Sequence, residues 1–208
     1  MSESKAGPRL THRQRQALHT RQLIVQAATE RFLQDGYGSA TIESIAAQAG
    51  VAVSTVYSAF ASKRGLLRAM REGWNQDSEQ RDLFRQASAE PRLARRLELA
   101  AHATRRQWET GGQMIQVYTS AAAVDAEAAA ELAEALGGRR AALEKILRAW
   151  AREFGLDPER AAASFLALTR AELYHELVGE WAWTPQQYEA WLAEVLHSQL
   201  SAPGDDAL

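Results

Sequence analysis

Between Ala49 and Leu67 the sequence AGVAVSTVYSAFASKRGLL gathers Ser54, Thr55 and Ser58, a lone Tyr57, and Lys63 just beyond Phe60. Short hydroxylated side chains can donate or accept hydrogen bonds at base edges and at phosphates. A lysine is a compact positive charge that suits an anion. The residues of enzyme chemistry are spread thin by comparison. His12, His19, His102, His175 and His197 are scattered, with no pair four apart on a helix to hold zinc. There is no cysteine, which excludes disulfides, thiolate catalysis and cysteine-ligated zinc. No phosphate-cradling glycine loop appears, and His175 beside Glu176 reads as a helix-surface or interface pair. Neither a metal site nor a cofactor is expected.

The elements around this stretch are short helices. Thr41 offers an N-cap hydroxyl, and Ile42, Ile45, Ala46 and Ala49 recur at helical spacing before Gly50. A further helix is predicted from near Ala52 to about Phe60. Two short helices joined by a tight glycine turn form a helix-turn-helix, whose second helix enters the DNA major groove with its N-terminal residues at the base edges. Upstream, Ile24, Ala27, Ala28 and Phe32 make one face of a first helix that Gly36 can end.

Apolar spacing of three and four continues along the chain, without sustained alternation, so the fold expected is all-α. With 208 residues, 46% hydrophobic and 24% charged, the chain can bury an ample core. No run approaches the roughly 18 apolar residues of a membrane span, and MSESKAGPRL lacks the apolar centre of a signal peptide, so a cytoplasmic location is expected. Net charge is −2, unevenly divided: residues 1–75 hold ten Lys/Arg against five Asp/Glu, and the remainder 14 against 21. A basic end on an acidic body suits a protein that presents one end to a polyanion.

The segment RQLIVQAATERFLQDGYGSATIESIAAQAGVAVSTVYSAFASKRGLL resembles the DNA-binding region of the TetR (tetracycline-repressor-like) family of bacterial regulators. The features in register are Ala27, Ala28, Phe32, Gly36, Tyr37, Thr41, Ile45, Ala46, Gly50, Val51, Tyr57, Phe60, Lys63 and Leu66. The resemblance implies an N-terminal helix-turn-helix domain, residues 13–75 after a disordered arm 1–12, followed by a larger helical effector-binding and dimerisation domain, 76–208. It also implies that Thr41, Tyr57 and Lys63 approach phosphates, and that Val53, Ser54, Thr55 and Ser58 lie at the groove. Val53 packs on a thymine methyl or belongs to the core; Val56 and Phe60 are expected in the core. Ala52 and Ala59 depart from the family pattern, which often has a hydroxyl at the first and an aromatic or histidine at the second. Arg64 and Arg68 could compensate.

In the body, Asp157-Pro158 and Thr184-Pro185-Gln186-Gln187 carry helix-start signatures. Ala162, Leu166, Thr169, Leu173 and Leu177 line one terminal helix; Tyr188, Trp191, Leu192, Val195 and Leu196 line the other. The family generally pairs through two such helices, which assigns Leu166, Leu173, Leu177, Tyr188, Trp191, Leu192, Val195 and Leu196 to a homodimer interface. Helices are expected to begin near Lys63, Pro91, Gly112 and Asp125, with Gly111-Gly112 and Gly137-Gly138 interrupting them. They would surround a mostly aromatic effector cavity with few polar anchors. Trp74, Phe84, His102, Trp108, Met114, Tyr118, Trp150 and Phe165 are its candidate lining.

The resemblance implies a homodimeric repressor released from a palindromic operator by a small apolar or aromatic ligand. A ligand-responsive activator, an all-helical enzyme and a helical adaptor without DNA binding are the alternatives.

Overall fold

The computed structural model describes residues 11–75 and 79–200, with the side chains of 73–75 and 79–81 outside the description. The tail SAPGDDAL and residues 1–10 of the arm fall outside it. Two compact units divide between Glu72 and Gly73.

In the first unit, α1 (His12–Ser39) starts on a reciprocal cap: Gln14 N donates to Thr11 Oγ1 at 3.3 Å and Thr11 N to Gln14 Oε1 at 2.8 Å. Thr11 and His12, placed in the arm by the sequence, are therefore the cap and first residue of this helix. Ile24, Ala27, Ala28 and Phe32 are buried along it, as their spacing requires. Gly36 breaks the helical conformation at φ 78°, and the chain turns away at Ala40. α2 (Ile42–Ala49) stops at Gly50, whose φ of 67° lies in the left-handed region that glycine tolerates best. α3 (Val53–Phe60) follows after a three-residue turn, and α4 (Lys63–Asn75) after two residues more. Tyr37, Ala40, Ile42, Ile45, Ala46, Val56, Phe60, Leu66, Leu67 and Met70 are also buried in this unit.

The second unit contains α5 (Glu79–Ala89), α6 (Leu93–Ala122), α7 (Ala126–Glu153), α8 (Pro158–Leu168), α9 (Ala171–Tyr174) and α10 (Pro185–Leu200). A wider π-helical segment, His175–Glu180, continues α9. α6 is the central element, packing against α5, α7, α9 and α10, while α7 and α10 also pack on α8. One apolar core joins Trp108, Leu147, Phe165, Tyr188, Leu192 and Leu196. Asp157 and Asp125 cap α8 and α7, and Thr184 and Gln187 form the reciprocal cap of α10.

Two expectations about this unit need correction. Gly111 and Gly112 lie inside an uninterrupted α6, so no helix begins at Gly112; Gly137 and Gly138 likewise lie inside α7. Each glycine weakens an exposed helix by only about 1 kcal/mol, which packing of such long helices offsets. Conversely, the single helix expected through Leu166, Leu173 and Leu177 is broken at Thr169. Trp108 Nε1 donates to the Thr169 carbonyl at 3.1 Å, while Thr169 Oγ1 folds back onto the Phe165 carbonyl at 2.8 Å. With that carbonyl held by an indole, the chain restarts as α9 at Ala171, two residues later.

Candidate nucleic-acid interface

α3 presents two faces. Val56 and Phe60 are buried, as expected, whereas Ser54, Tyr57 and Ser58 are exposed and Val53 and Thr55 half-buried. At 100° per residue, Tyr57, Ser54 and Ser58 fall on one arc opposite the buried pair. Half of the Tyr57 surface is open, so its ring lies outside the core. Among the described residues, none of the hydroxyls of Ser54, Thr55, Tyr57 and Ser58 is hydrogen-bonded within the chain. Ala52 occupies the N-cap of α3 and supplies no side-chain bond, which leaves that helix start without a side-chain cap.

Thr41 performs the predicted capping: Ser44 N donates to Thr41 Oγ1 at 3.1 Å and Thr41 N to Ser44 Oγ at 3.3 Å. Its side chain is exposed at the start of α2.

Lys63 behaves differently from a free surface charge. Its Nζ donates to the carbonyls of Tyr37 at 2.6 Å, Gly38 at 3.1 Å and Ala40 at 3.0 Å, and lies 4.6 Å from the centroid of the Tyr37 ring. An ammonium has three donors. All three meet the end of α1, where carbonyls without helical partners attract a cation. The expected phosphate-facing lysine is therefore first a clamp on α1, and any phosphate would compete with three carbonyls for its donors.

A second clamp escaped the sequence reading. Arg21 Nη1 donates to the Ala59 carbonyl at 2.7 Å, and its guanidinium lies 4.1 Å over the Phe60 ring, so α1 also secures the end of α3. Beyond it, Ala61 takes a positive φ of 62°, Ser62 Oγ accepts from Gly65 N at 3.1 Å, and α4 departs. A Cβ on Gly65 would lie 1.8 Å from the Phe60 carbonyl oxygen. Only glycine allows α4 to leave this close to the exposed helix. Arg64 is half-buried and Arg68 exposed on α4.

In the second unit, Phe84, Trp108, Trp150 and Phe165 join one packed core, and Met114 and Tyr118 are also buried. Tyr118 donates to Glu131 at 3.2 Å. Trp74 belongs to α4, with its side chain outside the described residues. His102 is half-buried, with Nδ1 3.1 Å from a Glu189 carboxylate that also takes a hydrogen bond from Arg105. Trp150 packs beside Arg96, whose guanidinium is only 2% exposed, pairs with Glu153 at 2.7 Å and donates twice to the Glu90 carbonyl. That partner holds the Glu153 carboxyl below its ordinary range, chiefly through the Arg96 hydrogen bond. His175 is exposed and accepts from Gln116 Nε2 at 2.6 Å.

The expected lining omitted three polar residues, Gln107 and Tyr188, which are buried, and Arg139, which is half-buried. Arg139 lies with its guanidinium 4.9 Å from the Trp108 ring centroid and donates to Gln107 Oε1 at 3.3 Å. Its Nε, the Gln107 Nε2 and the Tyr188 hydroxyl are buried without a hydrogen-bond partner. Burial pushes the Arg139 guanidinium down to about 10, against a small opposing influence of Tyr188, and raises the Tyr188 phenol.

The residues assigned to a dimer interface divide. Tyr188, Leu192 and Leu196 are fully buried within their own chain, so they have no surface for a partner. Leu166, Leu173, Leu177, Trp191 and Val195 are half-buried.

Comparison with known proteins agrees with this architecture. The family model described as bacterial regulatory proteins, tetR family, matches residues 24–70. No curated protein matches. Among solved structures, a fatty acid degradation regulator, FadR, from Bacillus halodurans is 18% identical, with a TM-score of 0.65 over 97% of this chain and 99% of that one. FadR from Bacillus subtilis, solved in complex with stearoyl-CoA, is 20% identical, with a TM-score of 0.64 over 86% and 99%. NalD of Pseudomonas aeruginosa, the secondary repressor of the MexAB-OprM multidrug efflux pump, is 21% identical, with a TM-score of 0.64 over 91% and 99%. At these identities the structural likeness concerns the fold. Residues 24–70 carry the sequence likeness, which is to the tetR family of bacterial regulatory proteins.

Proposed function

We propose that the protein is a sequence-specific DNA-binding transcriptional regulator acting in the cytoplasm. It binds a palindromic operator as a homodimer and leaves it when a small molecule occupies the helical body. The observation that carries this reading is the open hydroxylated face of α3, Ser54, Tyr57 and Ser58 with Thr55 at its margin, within a matched tetR-family domain. These side chains would contact base edges and backbone, with Val53 placed to meet a thymine methyl. Thr41 at the start of α2 would add a phosphate contact through its exposed helix N-terminus.

Pairing through the half-buried Leu166, Leu173, Leu177, Trp191 and Val195 would give the two-fold symmetry a palindrome requires, with half-sites about 34–36 Å apart. Release follows if a ligand prefers a body conformation that separates the two recognition helices; a differential affinity of about 1–3 kcal/mol lowers occupancy measurably.

Selection of bound duplexes from a random pool with the full-length protein tests the proposal. An enriched palindrome supports it, and binding to that duplex should weaken with salt as phosphate contacts release counterions. No enrichment at moderate salt rejects DNA recognition. An effector that tightens operator binding rejects release while leaving DNA recognition intact.

A further inference from the structure

A hydrogen bond joins Arg139 to Gln107, and Tyr188 lies within electrostatic reach of Arg139, in a region where the protein supplies too few acceptors. Arg139 comes from α7, Gln107 from α6 and Tyr188 from α10. Gln107 is 2% exposed and Tyr188 fully buried. Arg139 Nε, Gln107 Nε2 and Tyr188 OH are all closed off from solvent and unpartnered. Among the described residues, no carboxylate pairs with Arg139; its one hydrogen bond goes to a neutral amide oxygen.

Elsewhere in the same unit arginines are matched to acids: Arg96 to Glu153, Arg105 to Glu109 and Glu189, Arg148 to Glu159. A desolvated guanidinium left without an anion is costly, and isolated donors around it add to that cost. All three orphaned atoms carry hydrogens to give, so an acceptor with several lone pairs and negative charge satisfies them together. Apolar surface is close at hand: Trp108 lies against the guanidinium, and Tyr174 and Trp191 flank the Tyr188 ring at 4.9 and 6.0 Å.

We propose that Arg139, Gln107 and Tyr188 form the anchor for an effector that carries an oxyanion, a carboxylate or a phosphate, on an apolar body. This rests on the reading of the protein as a ligand-responsive regulator, and narrows its effector from apolar or aromatic molecules to anionic amphiphiles. The guanidinium takes the two oxygens of the anion, while Gln107 and Tyr188 donate to its remaining lone pairs. The apolar body lies along the aromatic side chains.

Calorimetric titration of the full-length protein, without DNA, separates this inference from the DNA-binding proposal. The probes are decanoate, phenylacetate and decyl phosphate, with decanamide and phenylacetamide as neutral counterparts. At least one anion should bind at least tenfold more tightly than its neutral counterpart, the amide of the same chain serving for decyl phosphate. Preference for decanoate or phenylacetate identifies a carboxylate, and preference for decyl phosphate a phosphate. Arg139→Met should abolish the preference, and Tyr188→Phe should reduce it about threefold. Arg140→Met, which changes an exposed neighbour paired with Glu144, should leave it intact. If no anion is preferred over its amide by the wild-type protein, the inference fails, whatever the variants do. It also fails if folded Arg139→Met retains the preference. Should Arg139→Met not fold, a reduced preference in Tyr188→Phe supports the anchor and an unchanged preference overturns it.

Discussion

The Lys63 ammonium lies 4.6 Å from the centroid of the Tyr37 ring while donating to the Tyr37 carbonyl at 2.6 Å. It also donates to the carbonyls of Gly38 and Ala40, so one side chain at the start of α4 closes the end of α1. Arg21 makes the complementary tie from α1 to the end of α3. The exposed helix is thus held by its neighbours at its C-terminal end, which fixes the direction in which its hydroxyls face.

Lys63→Ala should therefore destabilise the N-terminal domain as well as weaken DNA binding. Loss of charge-assisted bonds from a half-buried cation is worth about 1–3 kcal/mol. Urea unfolding of the free protein is the relevant measurement. An unchanged midpoint, with DNA affinity alone reduced, would mean that the ammonium serves phosphates and not the fold.

Gly65→Ala introduces a Cβ 1.8 Å from the Phe60 carbonyl oxygen, a backbone atom that cannot rotate away. Overpacking of this kind costs about 1–3 kcal/mol, and relief requires α4 to shift relative to α3. The expected result is a lower thermal midpoint together with poorer operator binding by the fraction that remains folded. A variant with wild-type values for both would show that the close approach is dispensable.

Much of this domain was legible in the sequence. Gly36 and Gly50 marked the turns, Thr41 the cap, and the buried positions Val56 and Phe60 followed from helical spacing. The clamps were not, because a donor reaching carbonyls more than twenty residues away leaves no periodic trace. In the body, the helix break at Thr169 depends on an indole 61 residues away in sequence. The glycine pairs misled because long packed helices tolerate what isolated ones do not. One polar signal was available and missed: Arg139 precedes Leu143, Leu147 and Trp150 at spacings of four, four and three, and so occupies a position on the buried stripe of α7.

Thr55→Ala and Ser54→Ala should change which duplexes are selected, with the affinity for the wild-type operator falling by about 1–3 kcal/mol for each hydrogen bond to a base edge that is removed. A uniform loss across all sequences would assign these hydroxyls to the backbone instead. Comparing the enriched pools, and not one dissociation constant, distinguishes the two.

Arg96 and Glu153 define a pH test. The Glu153 carboxyl is held below its ordinary value by the Arg96 hydrogen bond. The contribution is therefore complete above the unfolded value near 4.5 and is lost as pH falls through the lower folded value. Glu153→Gln removes it throughout, so the variant should melt below the wild type at neutral pH, and the difference should close in acid. A gap that persists unchanged at low pH would trace the loss to packing and not to charge.

The division of the C-terminal apolar residues makes the last prediction. Leu192 is fully buried in its own chain, whereas Val195 on the same helix is half-buried. A charge at the first position lies inside the monomer core, so Leu192→Asp should abolish the folded state. At the second, a carboxylate can reach water in a free subunit but not within a closed helix-packed interface. Val195→Asp should keep the helical circular dichroism of the wild type while shifting sedimentation toward the monomer, and operator affinity should fall with it. If the wild type is dimeric and Val195→Asp leaves sedimentation unchanged, pairing lies on a surface that does not include this face of α10.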